Sequence, residues 1–169
     1  EFNIEAVSNL MPVWLGERTG MINSKDLASF DPSNNRWMVK DSLNPWYVVY
    51  GSTVKGEASK MVFSKTNKPN TAVSNTTYKI EIKPNAVYYL PFTIAGSAKS
   101  KEQAMSSYNQ IKNAAASLLA IKKKRVLDLN QYSTLTLNDN AIATSFEWLK
   151  YNSDWLTQDV EGIGEGVVA

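Results

Sequence analysis

Around residues 96–100 the chain changes its periodicity, and that switch limits the folds open to it. On the N-terminal side, apolar residues recur at every second position in short runs broken by Gly, Pro and Asn. On the C-terminal side they recur at helical spacing over long stretches. Strands gathered first and helices second predict an α+β fold: an antiparallel β-sandwich portion followed by two long helices.

The strongest alternation lies in residues 77–83, where Tyr78, Ile80 and Ile82 point one way and Lys79, Glu81 and Lys83 the other. Pro84-Asn85 marks a turn, and residues 87–95 read as the returning strand of a hairpin, with Pro91 placing it at a sheet edge or bulge. Residues 46–52 and 58–65 read as a second pair joined around Lys55-Gly56, and 36–40, 10–17 and 2–8 as further strands. Residues 65–76 are polar and Asn-rich, which predicts a solvated loop. Asn75-Thr76-Thr77 has the form of a glycosylation sequon and is read as a polar turn.

Ser100-Lys101-Glu102-Gln103 fits a capping box opening the first helix. Ala104, Tyr108, Ile111, Ala115 and Leu118 follow on one stripe, widened by Leu119, to a basic end at Lys122-Lys123-Lys124-Arg125. Residues 130–138 read as a linker, and the second helix is expected over 138–160, capped by Asn138 or Asp139. Ile142, Phe146, Leu149, Leu156 and Val160 make one apolar face; Ala141, Trp148 and Trp155 make another at heptad spacing. A helix apolar on two sides needs neighbours on two sides, and one long companion helix is in view. That shortfall, with a Gly-rich end at residues 161–169 that reads as mid-loop, predicts one part of a larger protein.

The chain has no Cys and no His. Disulfides, thiolate nucleophiles, Ser-His-Asp systems and His-ligated zinc are therefore excluded, and any metal would need hard oxygen ligands. No metal and no cofactor are expected. A net charge of +2 over 169 residues argues against nucleic acid or an anionic membrane as the main partner. No apolar run approaches the ~20 residues of a membrane-spanning helix. Compartment stays open, with a periplasmic or secreted location slightly favoured.

Candidate chemistry is sparse. The four-residue basic run is read as a solvated helix end, and Gly162-x-Gly164-x-Gly166 follows a helix where a dinucleotide loop should follow a strand. The carboxylates Asp154, Asp159, Glu161 and Glu165, like Glu17, Asp26, Asp31 and Asp41, carry no catalytic pattern. Trp14, Trp37 and Trp46 are the candidate carbohydrate-binding residues, because indole faces stack on sugar C–H faces; core packing is the preferred reading of all three.

Four stretches taken in order resemble the bacterial glycogen-debranching-like glycoside hydrolases, large enzymes of the six-hairpin (α/α) toroid group. They are Leu10-Met11-Pro12-Val13-Trp14-Leu15-Gly16-Glu17, Asp41-Ser42-Leu43-Asn44-Pro45-Trp46-Tyr47-Val48-Val49, Phe92-Thr93-Ile94-Ala95-Gly96-Ser97, and Phe146-Glu147-Trp148-Leu149-Lys150-Tyr151-Asn152-Ser153-Asp154-Trp155-Leu156. The resemblance implies a sandwich over 1–97, a linker helix and loop over 98–137, and the first helix of a truncated toroid over 138–169. Both catalytic carboxylates of the family lie in the toroid, so no catalytic residue maps onto this chain. The implied role is a non-catalytic N-terminal module bracing the catalytic toroid of the same protein. The whole enzyme would hydrolyse α-glucan-type or related oligosaccharides by general acid/base catalysis, with inversion and without a metal. A carbohydrate-binding module that does not cleave its oligosaccharide, and a protein-interaction domain, are the alternatives.

Overall fold

The computed structural model describes residues 1–12, 17–59, 70–160 and 164–167. Among the described residues, seven strands precede the helices: β1 (Phe2–Ser8), β2 (Asp26–Asp31), β3 (Arg36–Asp41), β4 (Tyr47–Ser52), β5 (Glu57–Ser59), β6 (Ala72–Tyr78) and β7 (Phe92–Ser97). They form two antiparallel sheets, ordered β1-β6-β5 and β2-β3-β4-β7. Two helices follow, α1 (Lys101–Tyr132) and α2 (Asn140–Leu156), and then a small hairpin of β8 (Thr157–Val160) and β9 (Gly164–Val167). The α+β expectation, sheets first and long helices second, is met.

Alternation along β3 and β4 sorts side chains between two cores. Trp37, Val39 and Tyr50 turn inward and pack with Ala72 of the other sheet. Val49, with Met38 and Tyr47 beside it, turns outward and packs with Ala95, Ala104 and Tyr108, so the first turns of α1 cover the outer face of the four-stranded sheet. Trp37, Val39, Val49, Tyr50, Ala104 and Tyr108 are all buried. Two glycines are set by close approach. A Cβ on Gly51 would lie 2.6 Å from the Asn35 carbonyl oxygen, and one on Gly56 would lie 2.5 Å from Thr76 Cγ2.

Strands expected over 2–8, 36–40 and 46–52 are present, but the expected pairings are not. β4 lies between β3 and β7, and β5 pairs with β6, so the 46–52/58–65 hairpin does not form. The 77–83/87–95 hairpin is absent too: residues 79–91 carry no strand, although the Pro84-Asn85 turn is in place, with Asn85 at φ 62°. The strand instead runs through 72–78, starting inside the 65–76 stretch expected to be a loop and taking in only the first two residues of the expected strand over 77–83, and its inward residues Ser74 and Thr76 are small and polar. Ser74 meets the Tyr50 hydroxyl at 2.5 Å and Thr76 accepts from Trp37 Nε1 at 2.9 Å, so their polarity is satisfied inside the sandwich. β2 was not foreseen. Of the expected strand over 10–17, residues 13–16 lie outside the described residues, as do 60–69 of the expected strand over 58–65; Leu10, Met11 and Pro12 form no strand, and Glu17–Thr19 is a single 3₁₀ turn.

Ser100 Oγ accepts the Gln103 N–H at 3.1 Å, as a capping box requires. The reciprocal half differs, since the Gln103 side chain takes the Ser97 hydroxyl at 2.5 Å. α1 continues to Tyr132, through the basic run and three residues into the expected linker. Asp139 caps α2, accepting from the Ala141 and Ile142 N–H groups at 2.9 and 3.3 Å. α2 stops at Leu156, and the residues expected to extend it become β8, paired with Gly164–Val167 of the Gly-rich segment expected to be a loop. By contact density the chain divides into Glu1–Ala114 and Ala115–Ala169, so the boundary falls within α1.

Candidate functional site

The three tryptophans proposed for sugar binding have different settings. Trp14 lies outside the described residues. Trp37 is 6% exposed, its ring 5.1 Å from that of Phe30 and its N–H given to Thr76, so it is a core side chain. Trp46 is half-buried and lines a cavity of about 360 Å³ with Leu10, Met11, Pro12, Met21 and Tyr47. A cavity of that size admits a small ligand or one bulky side chain. Its lining is apolar, however, and sugar hydroxyls buried there would lose the hydrogen bonds they make to water. The structure does not bring Trp37 and Trp46 to one surface.

Four of the candidate carboxylates, Asp31, Asp154, Asp26 and Asp41, fall into three settings, while Glu165 is exposed. Asp31 at the end of β2 accepts from Ser33 N, Asn34 N and Nδ2, and Arg36 Nη2 at 2.8–3.2 Å, which fixes the β2–β3 turn. The Asn34 side-chain bond leads in holding its carboxyl below the usual range. Asp154 on α2 receives Arg125 Nε and Nη2 at 2.6 and 2.5 Å, with Lys122 at 3.5 Å. The Arg125 bond leads in lowering its carboxyl as well. Lys124 pairs with Asp128 at 2.7 Å. Most of the basic run is therefore engaged with carboxylates of its own two helices, and none of these acids stands ready to transfer a proton.

Asp26 and Asp41 are the third setting. They sit opposite each other in the β2–β3 register, both on the inward side, and are 3% and 0% exposed. The alternation Asp26, Ala28, Phe30 and the series Trp37, Val39, Asp41 each place an acid in an apolar inward line. That was the available signal for both the pair and β2.

In the C-terminal unit the helices touch through polar groups. Tyr151 gives its hydroxyl to Asn130 at 3.0 Å, and Lys150 reaches the Ser133 carbonyl at 2.8 Å. α2 has no buried residue. Ile142 (51%), Trp148 (54%), Leu149 (66%), Trp155 (57%) and Leu156 (48%) are all exposed. The Trp148 ring meets those of Tyr151 and Trp155 edge-on, at 6.1 and 6.5 Å, and Lys122 lies 5.9 Å from the Trp155 centroid. On α1, Leu118, Leu119 and Ile121 are exposed too.

Among the described residues no group of three or more acidic side chains is placed to hold a metal ion. Nor, among these described residues, is any helix long and apolar enough to cross a membrane. Comparison of the chain with family models, with curated proteins and with solved structures gives no match.

Proposed function

We propose that this chain is a non-catalytic N-terminal module of a larger glycoside hydrolase acting on α-glucan-type or related oligosaccharides, and that it braces the catalytic toroid of that protein. The single observation that carries the bracing role is α2, where Ile142, Leu149 and Leu156 on one side and Trp148 and Trp155 on the other stand exposed. Surface ion pairs such as Arg125–Asp154 contribute about 0–1 kcal/mol each, too little to order a helix pair that buries no apolar side chain of α2. A helix of that composition gains its stability from packing against more polypeptide. The hydrolase assignment rests on the four resembling stretches.

The test is reconstitution. This chain and the remainder of the parent protein, made separately and mixed, are expected to co-elute as a complex and to recover hydrolysis of α-glucan oligosaccharides. Replacing Trp148 and Trp155 together by Ser should abolish the complex while leaving the sheet circular dichroism unchanged. Absence of association with the unaltered chain removes the bracing role; association without hydrolysis leaves the bracing and removes the substrate assignment. The same exposed helices also suit an interaction domain that docks on a second copy, and sedimentation of the chain alone separates the two readings.

A further inference from the structure

The outer face of the four-stranded sheet is only half covered. Read across the strands, its side chains fall into two rows, Leu27–Lys40–Tyr47–Ser97 and Ser29–Met38–Val49–Ala95. Ala104 and Tyr108 of α1 pack on the Val49–Ala95 end of the second row. The β2–β3 end is left open, and there Leu27, Met38, Lys40, Tyr47 and Lys101 line a groove of about 350 Å³. Leu27, 49% exposed, and Met38 give it an apolar floor. Its volume lies at the low end for ligand sites and suits a body of about one ring.

The charge in this groove is one-sided. No acidic side chain lines it. Asp26 and Asp41, the chain neighbours of Leu27 and Lys40, turn to the inner face, and Asp31 is taken by Arg36 at 3.1 Å. Among the described residues neither Lys40 nor Lys101 forms an ion pair. Lys40 Nζ instead lies 5.9 Å from the Tyr47 ring centroid, a contact that keeps the ammonium beside the groove. Lys101 is the first residue of α1, where the helix dipole already disfavours positive charge and favours an anion. We infer that the groove binds a small organic anion: its carboxylate held between Lys40 and Lys101, its apolar body laid on Leu27 and Met38 beside the Tyr47 ring. Such a ligand answers both ammonium groups and covers the exposed apolar floor in one step.

The experiment is an NMR titration of the whole chain, observed at its Leu, Met and Ala methyl groups. The probe is phenylpropionate, with phenylpropanol and phenylpropylammonium as its neutral and cationic counterparts. Phenylpropionate is expected to shift the Leu27, Ala28 and Met38 signals saturably in the millimolar range, as suits a ligand of that size. Either counterpart should bind at least about fivefold more weakly. Lys40→Gln and Lys101→Gln together should weaken phenylpropionate about five- to tenfold, the size expected of two partly exposed charge pairs, and added salt should weaken it as well. Both positions lie at the surface, so the urea midpoint of that double variant reports whether the fold is kept. Leu27→Glu, which gives the groove a carboxylate of the chain's own, should remove binding. Equal affinity for the three compounds overturns the inference, as does unchanged affinity in the double variant. Shifts confined to Leu10 and Met21, beside Trp46, or no saturable shift by about 20 mM, overturn it too.

Discussion

The Trp37 indole N–H donates to Thr76 Oγ1 at 2.9 Å across the interior of the sandwich, joining β3 of one sheet to β6 of the other. Both residues are buried, at 6% and 4% exposure, so neither group has water as a substitute partner. Thr76→Val keeps the shape and strands the indole N–H. Such a loss costs about 1–3 kcal/mol, and the expected fall in the urea midpoint should be largely absent in Thr76→Ser. A Thr76→Val midpoint equal to that of the unaltered chain would contradict the contact.

Gly51 lies where two backbones meet. A Cβ there would sit 2.6 Å from the Asn35 carbonyl oxygen and 2.9 Å from Arg36 Cα, and neither atom is the flexible end of a side chain. Gly51→Ala is therefore expected to destabilise by about 1–3 kcal/mol, read as a lower thermal midpoint. At Gly166, where an added Cβ meets nothing within 4 Å, the same substitution should leave the midpoint almost unchanged.

Acid should weaken the N-terminal unit through Asp41. Burial alone would raise its carboxyl, but the Ser24, Asn44 and Leu43 bonds together outweigh burial and hold it below the ordinary range. The group stabilises fully above the unfolded-chain value of about 3.9, and that contribution is lost as pH falls through the lowered native value. Asp26 acts in the opposite sense, since its raised value means that protonation favours the fold and stability declines as pH climbs toward it. Denaturant midpoints measured across pH should show the acid-side loss reduced in Asp41→Asn. That variant should also be less stable near neutrality, by about 1–3 kcal/mol, because charge-assisted bonds are weakened.

On the C-terminal side, Asp154→Ala removes the anchor that Arg125 and Lys122 share. Amide exchange in α2 is expected to accelerate, while exchange in β3 and β4 stays as it was. Unchanged exchange in α2 would show that the pair adds nothing measurable to the local stability of that helix.

What the residues revealed before folding follows from where each finds its partner. β1 and β3 largely alternate apolar with polar and β4 is a short apolar run, so all three could be read as strands without knowing what lay opposite. β6 could not: Ser74 and Thr76 look like loop residues until Tyr50 and Trp37 are brought against them. Tyr78, Ile80 and Ile82 carry the clearest alternation in the chain, yet the sheet register ends at Tyr78. The α1 C-terminus was misplaced because its contacts with α2 are polar; the Tyr151–Asn130 bond has no periodic signature. Among the candidate site residues, Trp37 was legible as core, whereas the setting of Trp46 depends on Leu10 and Met21, distant in sequence.

The hydroxyl contacts at Ser74 and Thr76 also fix how β6 can slide. A shift by one position would turn Asn75 and Thr77 toward the interior and carry Ser74 and Thr76 away from the ring groups they serve. A uniformly greasy strand would tolerate several alignments with small differences in energy, whereas this one penalises every alignment that leaves the Tyr50 hydroxyl or the Trp37 indole unmet.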